Sequence, residues 1–416
     1  MRTLYSIAIA FYALGVRIAA LWNRKARQMR AGWRVAKRDE TFESLKGSRV
    51  AWFHAASLGE FEQARPLMEL YRAAHPDWKI ALTFFSPSGY EVRKHYEGAD
   101  LVCYLTPDTR RAARRLVAHL HPDIAFFVKY EFWYNVLDAL RRRGTPTYSF
   151  STIFRPGQIF FRRYGGWFVR QLQTYEHIFV QNEASRQLLL GIGMERCTVT
   201  GDTRFDRVAD IASQAKRYEV VERFVGEGSP VLMAGSSWEP DEANIAAFAS
   251  HYTQPLKIIL APHVIDEAHL RNIEQRFGAE HCVRYSALSA ARATIGDAEP
   301  CILIIDNIGM LSSLYRYATI AYIGGGFGRG IHNTLEAAVF GCPVCFGPNH
   351  QKFQEALDLI ACGGAAGYET AEELEGILSG WLRDREQYEA ASQACRHYMA
   401  THCGAAKTIM ERIERQ

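Results

Sequence analysis

Two glutamates follow apolar runs that are typical of buried β-strands. Glu60 closes the motif HAASLGE, which follows the run Val50–His54, and Glu131 follows DIAFFVKY in the motif KYEFWYN. Each acid precedes helix-forming residues, so we predict that both lie at helix starts, where the positive helix end favours an ionised carboxylate. An ionised carboxylate at the end of a strand is suited to general-base chemistry. The alternative for each acid is a structural role in the first turn of its helix.

A fixed positive charge and a pair of hydroxyls follow later strands. Arg204, in TGDTRFD, suits a phosphate group or a developing oxyanion. Its alternative role is a surface ion pair with Asp202 or Asp206. In the second half of the chain, AGSSWEPDE places Ser236 and Ser237 between a strand and a helix, where they cap the helix or hold a phosphate.

The glycine-rich stretch GGGFGRGIHNTLEAAVFG is the strongest local signal. Its glycines let the backbone approach a ligand closely, and a helix is predicted from about His332–Asn333, whose free N–H groups suit a phosphate. Glu336, one turn into that helix, is suited to bind a pair of sugar hydroxyls. The stretch matches neither the strict dinucleotide pattern nor the P-loop. His263, in APHVID, lies at a predicted strand end, where a structural role is the alternative.

Short apolar runs alternate with amphipathic helical patterns along most of the chain. This alternation predicts parallel sheets covered by helices on both faces. The pattern restarts after a polar, weakly structured stretch at about 207–229, so we predict two doubly wound, Rossmann-like domains that face each other across a cleft. The chain after Thr370 is predicted to be helical. The predicted strands are 50–54, 80–84, 101–104, 124–129, 147–150, 178–180 and 198–200 in the first half, and 230–236, 257–263, 301–306, 319–327 and 342–347 in the second.

The charge is distributed unevenly along the chain. Residues 1–38 hold nine of the 49 basic residues and no acid, which leaves 40 bases against 45 acids in the rest. The acidic body argues against nucleic-acid binding. The nine scattered cysteines form no disulfide framework or paired zinc motif and favour a reducing compartment. Without a metal-binding motif, no essential metal site is expected.

The basic N-terminus is also apolar, since LYSIAIAFYALGV is followed by Arg17 and IAALW. Three interpretations apply to this segment. It spans a membrane, it lies in the membrane interface with its basic tail on anionic headgroups, or it is the buried first helix of a soluble domain. For a membrane helix, the basic residues that follow predict a cytoplasmic location for the rest of the chain.

Taken together, these blocks resemble the Kdo transferases of Gram-negative bacteria. Those enzymes are membrane-tethered, have the GT-B fold, and move 3-deoxy-D-manno-octulosonic acid (Kdo) from CMP-Kdo to the lipid A precursor. The resemblance covers the basic N-terminus, HAASLGE, EFWYN, TGDTRFD, the serine turn, IDNIGML and GGGFGRGIHNTLEAAVFGCPVCFGPNHQKFQEA. It implies a membrane anchor and basic segment at 1–38, an acceptor-binding domain at 39–210 and a CMP-sugar-binding domain with terminal helices at 211–416.

The resemblance also implies roles for individual residues. Glu60 falls on the catalytic base, Glu131 on the acid that stabilises the transition state, and Arg204 on a basic stabiliser that is usually lysine. The chain departs from the family pattern at three places. Asp202 stands where asparagine is usual, and GIHN replaces GGHN. APH replaces PRH, so that one phosphate-binding arginine is absent. The implied CMP pocket comprises Pro262, His263, Gly309, Met310, Leu311, Asn333, Thr334, Leu335 and Glu336, and Ser236 and Ser237 complete the predicted substrate-binding residues.

The function implied by the resemblance is inverting transfer of Kdo from CMP-Kdo to a lipid A precursor, lipid IVA, in lipopolysaccharide core biosynthesis. The resemblance also implies that the protein is located at the inner membrane, with its catalytic domains on the cytoplasmic face. Glu60 accepts the proton of the acceptor hydroxyl, and neither a metal ion nor another cofactor takes part. Two alternatives stay open: a GT-B glycosyltransferase that uses a UDP-sugar on another lipid or glycan, and a non-catalytic, membrane-held carbohydrate-binding protein.

Overall fold

The computed structural model describes residues 1–290 and 301–415, which form two compact α/β units. The first unit comprises Met1–Arg207 together with Cys403–Gln416, and the second comprises Val208–His402. Each unit contains one parallel sheet with flanking helices, the architecture that strand–helix alternation predicts.

The sheet of the first unit is made of short apolar runs, because a parallel sheet is buried on both faces. Trp52 and Phe127 belong to one core cluster and Phe53 and Phe126 to another, since successive side chains of a strand point to opposite faces. The strand order is β3-β2-β1-β4-β5-β6-β7, with every neighbouring pair parallel. The strands are β1 (Val50–Ala55), β2 (Lys79–Phe84), β3 (Leu101–Tyr104), β4 (Ile124–Val128), β5 (Thr147–Thr152), β6 (His177–Val180) and β7 (Cys197–Val199).

The sheet of the second unit is also parallel throughout its described part. Its strands are β8 (Val231–Ser237), β9 (Lys257–Pro262), β10 (Cys282–Arg284), β11 (Ile302–Ile304), β12 (Ile320–Ile323), β13 (Val344–Phe346) and β14 (Ala365–Gly367). Their order is β10-β11-β9-β8-β12-β13-β14. The sequence analysis missed β10 and β14, because three-residue edge strands carry too few apolar side chains to stand out.

Helices flank both sheets. Val221 and Phe224 are buried, which anchors a helix inside the stretch that the sequence analysis predicted to be weakly structured. The helices are α1 (Arg2–Ala19), α2 (Arg24–Val35), α3 (Leu58–Ala74), α4 (Pro87–Arg93), α5 (Arg110–Leu120), α6 (Tyr134–Arg143), α7 (Gly166–Leu172), α8 (Glu183–Leu190), α9 (Arg204–Ser213), α10 (Glu219–Val225), α11 (Glu239–His251), α12 (Glu267–Phe277), α13 (Tyr285–Ser289), α14 (Leu311–Leu314), α15 (Leu335–Ala338), α16 (Gln354–Ala361), α17 (Ala371–Arg383), α18 (Arg385–His402) and α19 (Ala405–Glu414).

Helix α1 is long and apolar enough to cross a membrane, and most of its surface is exposed. One face is bound to the first unit: Tyr5 Oη donates to Asp108 Oδ2 at 2.7 Å, and Asn135 Nδ2 donates to Ser6 Oγ at 3.0 Å. The expectation of a buried first helix is therefore wrong, and α1 is a candidate membrane anchor. Its exposed apolar face presents Leu4, Ile7, Phe11, Leu14 and Ile18.

Helix α19 packs against α3 of the first unit. Asp206 accepts hydrogen bonds from the backbone N–H groups of Gly404 and Ala406, where a carboxylate stabilises the positive start of the helix. Ile409 and Met410 are buried in the same core cluster as Phe53. The prediction that the second domain runs to residue 416 is therefore wrong for residues 403–416.

Candidate functional site

Glu60 lies in the first turn of α3, directly after strand β1, as the sequence indicated. Ser57 is the N-cap of this helix, and its hydroxyl donates a hydrogen bond to Glu60 Oε2. The Glu60 side chain is half-buried. The helix start and the serine hydroxyl both place hydrogen-bond donors beside the carboxylate.

Glu131 lies in a loop and not in the first turn of a helix, so that part of the sequence prediction is wrong. After β4 the backbone turns at Lys129, whose φ of 57° is in the left-handed region, and α6 begins only at Tyr134. Trp133 Nε1 donates to Glu131 Oε2 at 2.7 Å. This hydrogen bond fixes the carboxylate beside the end of β4.

A buried histidine joins Glu131 to the neighbouring strand. His54, on β1, places Nε2 at 3.3 Å from Glu131 Oε2 and accepts from Trp133 Nε1 at 3.0 Å. Its Nδ1 lies 3.1 Å from the carbonyl oxygen of Thr83, which accepts a hydrogen bond from that nitrogen. Within the described residues, no hydrogen bond joins Glu60 to Glu131. The first unit therefore holds two acids with separate partners near the ends of adjacent strands.

Arg204 pairs with Asp202, as the structural alternative expected. Arg204 Nε donates to Asp202 Oδ2 at 2.9 Å, and the Arg204 backbone N–H donates to Oδ1 at 2.9 Å. The buried Asp202 carboxylate also accepts from Gln63 at 2.7 Å and from Gln181 at 3.0 Å. Asp202 is thus fully hydrogen-bonded, and the Arg204 side chain stays 38% exposed.

Ser236 and Ser237 belong to the end of β8 and do not cap α11. Ser236 has a φ of 54° at an irregularity in the pairing of β8 with β9, and Ser237 Oγ donates to Glu242 Oε1 at 2.9 Å. The capping prediction is wrong because Trp238 is the N-cap residue, and its backbone N–H donates to Asp241 Oδ2 at 2.9 Å. The irregularity turns the chain out of the sheet before the helix begins.

A cavity of about 660 Å³ opens beside this turn in the second unit. Three aromatic rings stack along it: His263 lies 4.5 Å from Trp238 and 4.7 Å from His332, between ring centroids. Arg329 adds a positive charge to the lining. Burial and the neighbouring His263 lower the pKa of His332, so its ring is a neutral stacking surface. Aromatic faces and a cation form a site suited to a planar, anionic ligand such as a nucleotide.

Asp241 lines this cavity and holds two neighbouring segments in place. Its carboxylate accepts from the backbone N–H of Gly325 at 2.9 Å and from Tyr322 Oη at 2.8 Å. Burial raises the pKa of Asp241, and these donors oppose that rise by stabilising the charged form. The glycine-rich loop is thereby tied to the start of α11.

Of the predicted binding residues, only His263 lines this cavity. Its backbone N–H donates to the Ser237 carbonyl at 2.9 Å, and Pro262 pairs with Ser237 in the sheet. Leu311 lies close to Gly235 near the end of β8. A Cβ atom added to Gly235 would lie only 2.9 Å from Cδ1 of Leu311. These contacts join the predicted residues at 236–237, 262–263 and 311.

The remaining predicted residues form two turns. Gly309 has a φ of 95° and precedes the buried Met310. Asn333 Oδ1 accepts from the Leu335 backbone N–H at 3.1 Å, and its Nδ2 donates to Glu336 Oε1 at 3.0 Å. The helix predicted from His332–Asn333 is only the short α15, and Thr334 is its N-cap. The buried Thr334 hydroxyl has no hydrogen-bond partner within the described residues.

Residues 27–207 match the family model of 3-deoxy-D-manno-octulosonic-acid transferase, the Kdo transferase domain. Over 389 residues the chain is 28% identical to a 3-deoxy-D-manno-octulosonic acid transferase of Bordetella pertussis, which covers 87% of this chain and 86% of that protein. The enzyme of the same name from Chlamydophila psittaci is 25% identical over 76% of this chain and 73% of its own length. The chain is similar to Kdo transferases over most of its length. It is therefore a glycosyltransferase, and the interpretation as a non-catalytic binding protein is dropped.

Solved structures share the fold of this chain. UDP-GlcNAc 2-epimerase from Neisseria meningitidis, bound to UDP-GlcNAc, has a TM-score of 0.61 at 14% identity and covers 88% of this chain and all of its own (100%). MurG from Acinetobacter baumannii has a TM-score of 0.56 at 13% identity, over 89% of this chain and 100% of its own. At these identities the likeness supports the fold alone, which is the predicted GT-B architecture of two Rossmann-like domains.

The sequence analysis missed three aromatic or charged residues of the second-unit cavity. Trp238, Arg329 and His332 line it, and all three lie in the motifs AGSSWEPDE and GGGFGRGIHN. Two features of the sequence could have indicated this cavity: the tryptophan that follows the two serines, and the arginine that lies between two glycines. Arg329 lines the same cavity as His263, which stands in the motif that lacks the family's usual arginine.

Proposed function

We propose that this protein belongs to the Kdo transferase family and moves Kdo from CMP-Kdo to a lipid A precursor such as lipid IVA, with Glu60 as general base. The observation that carries this proposal is the similarity to enzymes named as Kdo transferases over most of both chains. The position of Glu60 in the first turn of α3, directly after strand β1, supports its role, because ligands of doubly wound folds bind at the carboxyl ends of the strands.

The proposed step is a single inverting displacement. The Glu60 carboxylate takes the proton of the acceptor hydroxyl while that oxygen bonds to the anomeric carbon of Kdo, and the bond to CMP breaks with its electron pair on the phosphate oxygen. Glu131 and Arg204 stabilise the charge that develops during transfer. The positive charge of Arg204 suits this role, and the hydrogen bond from its Nε to Asp202 holds the guanidinium in place.

For the donor, we propose the second-unit cavity as part of the CMP-Kdo site. The stacked rings of Trp238, His263 and His332 offer aromatic surface to the cytosine, and Arg329 offers a partner for the donor's anionic groups. The turn at Asn333–Glu336 and its unpaired Thr334 hydroxyl offer further polar contacts. Neither a metal ion nor another cofactor belongs to this proposal.

The membrane partner is proposed from α1. Its exposed apolar face and the nine bases of residues 1–38 favour association with the cytoplasmic face of the inner membrane, where anionic headgroups attract basic segments. A membrane-bound enzyme meets a lipid acceptor at raised effective concentration.

The deciding experiment incubates the purified full-length protein with CMP-Kdo and lipid IVA, followed by mass analysis of the lipid. We expect Kdo-bearing lipid, undiminished by EDTA, and no nucleotide release from UDP-sugars. Glu60→Gln should lower turnover roughly 10²–10⁴-fold, while Glu69→Gln, an exposed acid on the same helix, is the matched control. Transfer from a UDP-sugar, or normal turnover by Glu60→Gln, would overturn the proposal.

A further inference from the structure

A basic cavity of about 300 Å³ lies on the first unit beside the start of helix α5, away from the two acids. Its volume is about tenfold the 30 Å³ that one water molecule occupies in the liquid, so it accommodates a group of several heavy atoms. The lining includes three cations and two hydroxyls and no carboxylate. These side chains are Lys37, Arg111, Arg115, Thr106 and Thr109.

Thr106 is the first indication that the cavity is a binding site. The residue is only 4% exposed, and its Oγ1 has no hydrogen-bond partner within residues 1–290 and 301–415. Buried hydroxyls in folded proteins nearly always have a partner. An oxygen-rich ligand in the cavity would supply the missing acceptor.

The positive charge of the cavity is only partly neutralised. Arg115 Nη2 donates to the Lys37 carbonyl at 2.7 Å and to Asp39 Oδ1 at 3.0 Å. Lys37 and Arg111 have no ion-pair partner in the part of the chain that the structure describes. Burial, followed by the charges of Arg17 and Arg115, lowers the pKa of Lys37, as expected where cations crowd together. A bound anion would relieve this repulsion.

The start of α5 adds further donors. Thr109 is the N-cap of this eleven-residue helix, and its hydroxyl accepts from the Ala112 backbone N–H at 3.4 Å. The other N–H groups of a first helical turn have no intrahelical partner, and the helix end carries partial positive charge. Helix starts with nearby cations are common phosphate sites.

Helix α1 flanks this region. Arg110, the first residue of α5, donates from Nη2 to Thr3 Oγ1 at 2.9 Å, and Tyr5 donates to Asp108 in the loop before α5. The apolar face of α1 that is exposed next to these contacts suits the acyl region of a bilayer, while the cations suit its headgroups.

We propose that this cavity binds the phosphate group of an anionic lipid headgroup, with Thr106, Lys37 and Arg111 as its ligands. The inference that the anion belongs to a lipid rests on the membrane association proposed above, whereas the inference of an anion site does not. The site is separate from the acids and from the second-unit cavity, so it orients the enzyme on the bilayer without taking part in transfer.

The test measures flotation of the full-length protein with phosphatidylcholine vesicles that do or do not contain phosphatidylglycerol. Thr106→Val keeps the shape and charge of the residue and removes its hydroxyl, so non-specific electrostatic binding is unaffected. We expect this variant to bind the anionic vesicles about tenfold more weakly, the value of one hydrogen bond to a charged group. Arg111→Gln should weaken binding more than Arg114→Gln, an exposed arginine on the same helix that does not line the cavity.

Two further measurements separate the possible outcomes. Thermal unfolding in inorganic phosphate and in chloride shows whether a free anion binds the cavity. If phosphate stabilises the parent protein but not Thr106→Val, and the variant binds vesicles normally, the ligand is a soluble phosphate and not a lipid. That result would overturn the proposal. Equal vesicle binding by Thr106→Val and the parent would overturn it as well. Transfer to a detergent-dispersed acceptor should be unchanged in all three variants, so a failure here is distinct from a failure of the proposed catalytic role.

Discussion

His54 Nε2 lies 3.3 Å from Glu131 Oε2, and the imidazole is completely buried. The first residue of HAASLGE thus contacts the acid of EFWYN, 77 positions away. Trp133 donates its indole N–H towards both groups, at 3.0 Å to His54 and 2.7 Å to Glu131. The two motifs therefore form one hydrogen-bonded cluster at the ends of adjacent strands, and the indole N–H is the group that holds it together.

Trp133→Phe should lower kcat while the protein stays folded. The substitution keeps the ring that packs on Phe85 but removes the donor to Glu131. A hydrogen bond to a charged group contributes about 1.5–3 kcal/mol, so we expect roughly a tenfold to hundredfold loss of kcat. The measurement is CMP release from CMP-Kdo. Trp167→Phe, whose ring packs on Tyr134, is the control, and an equal loss there would show that the effect is not specific to the Glu131 cluster.

Asp202 and Arg204 should behave as a coupled pair. Asp202→Asn removes the charge that anchors the guanidinium, and Arg204→Lys removes the fork that Asp202 binds. The double variant has the Asn and Lys that the resemblance implies at these two positions. We expect its loss of kcat/KM to be smaller than the combined losses of the single variants, by about 1–2 kcal/mol in a double-mutant cycle. Strict additivity would contradict the coupling.

Trp238→Ala should weaken donor binding more than it slows turnover. The indole stacks 4.5 Å from His263, and stacking of a base on an aromatic side chain contributes about 1–3 kcal/mol. We therefore expect KM for CMP-Kdo to rise roughly tenfold or more, with a smaller change in kcat. Trp238→Phe keeps an aromatic face and should recover most of the affinity. Unchanged KM in Trp238→Ala would remove this cavity from the donor site.

The stability of the first unit should fall on mild acidification because of His177. Burial, together with the charges of Arg412 and Arg196, lowers the pKa of His177 from 6.5 to about 4. The unfolded chain binds this proton below about pH 6.5 and the folded chain only below about pH 4, so the contribution is present above pH 6.5 and is lost as the pH falls towards 4. The neutral ring is hydrogen-bonded to Thr198 Oγ1 at 2.8 Å.

The pH prediction is checked by urea unfolding at pH 7 and pH 5. We expect the free energy of unfolding of the parent protein to fall between these pH values by about 1–2 kcal/mol more than that of His177→Gln, which cannot bind the proton. Other titrating groups contribute equally to both proteins and cancel in the comparison. Identical pH dependence of the two proteins would contradict the lowered pKa.

The sequence predicted those strands and helices whose pattern depends only on neighbouring residues in the chain. Runs such as those of β1 and β4 are apolar at every position because parallel strands are buried on both faces, and Glu60 follows its strand directly into a helix. The prediction for Glu131 failed because a loop and not a helix follows β4. Phe132 packs against Phe154 and Phe160 and holds this loop in place, and periodicity along the chain does not reveal such a long-range contact.

The second-unit cavity shows the same limit. The serines of AGSSWEPDE are good capping residues, but Ser237 donates to Glu242 instead, and Asp241 satisfies the helix start. The stacking of His263 with Trp238 and His332 depends on three separate strand ends that meet only in the folded sheet. Residue types alone indicated a phosphate site there, and tertiary structure was needed to find the aromatic surface beside it.

The return of α19 to the first unit has a consequence for biosynthesis. Ala406, Ile409 and Met410 complete a hydrophobic core whose other buried members are translated more than two hundred codons earlier. The first unit therefore cannot finish folding until residues 403–416 have been synthesised. A nascent chain arrested anywhere between Arg207 and Cys403 would carry an unfinished N-terminal half, so quality control would recognise truncated products by exposed core and not by a missing donor site.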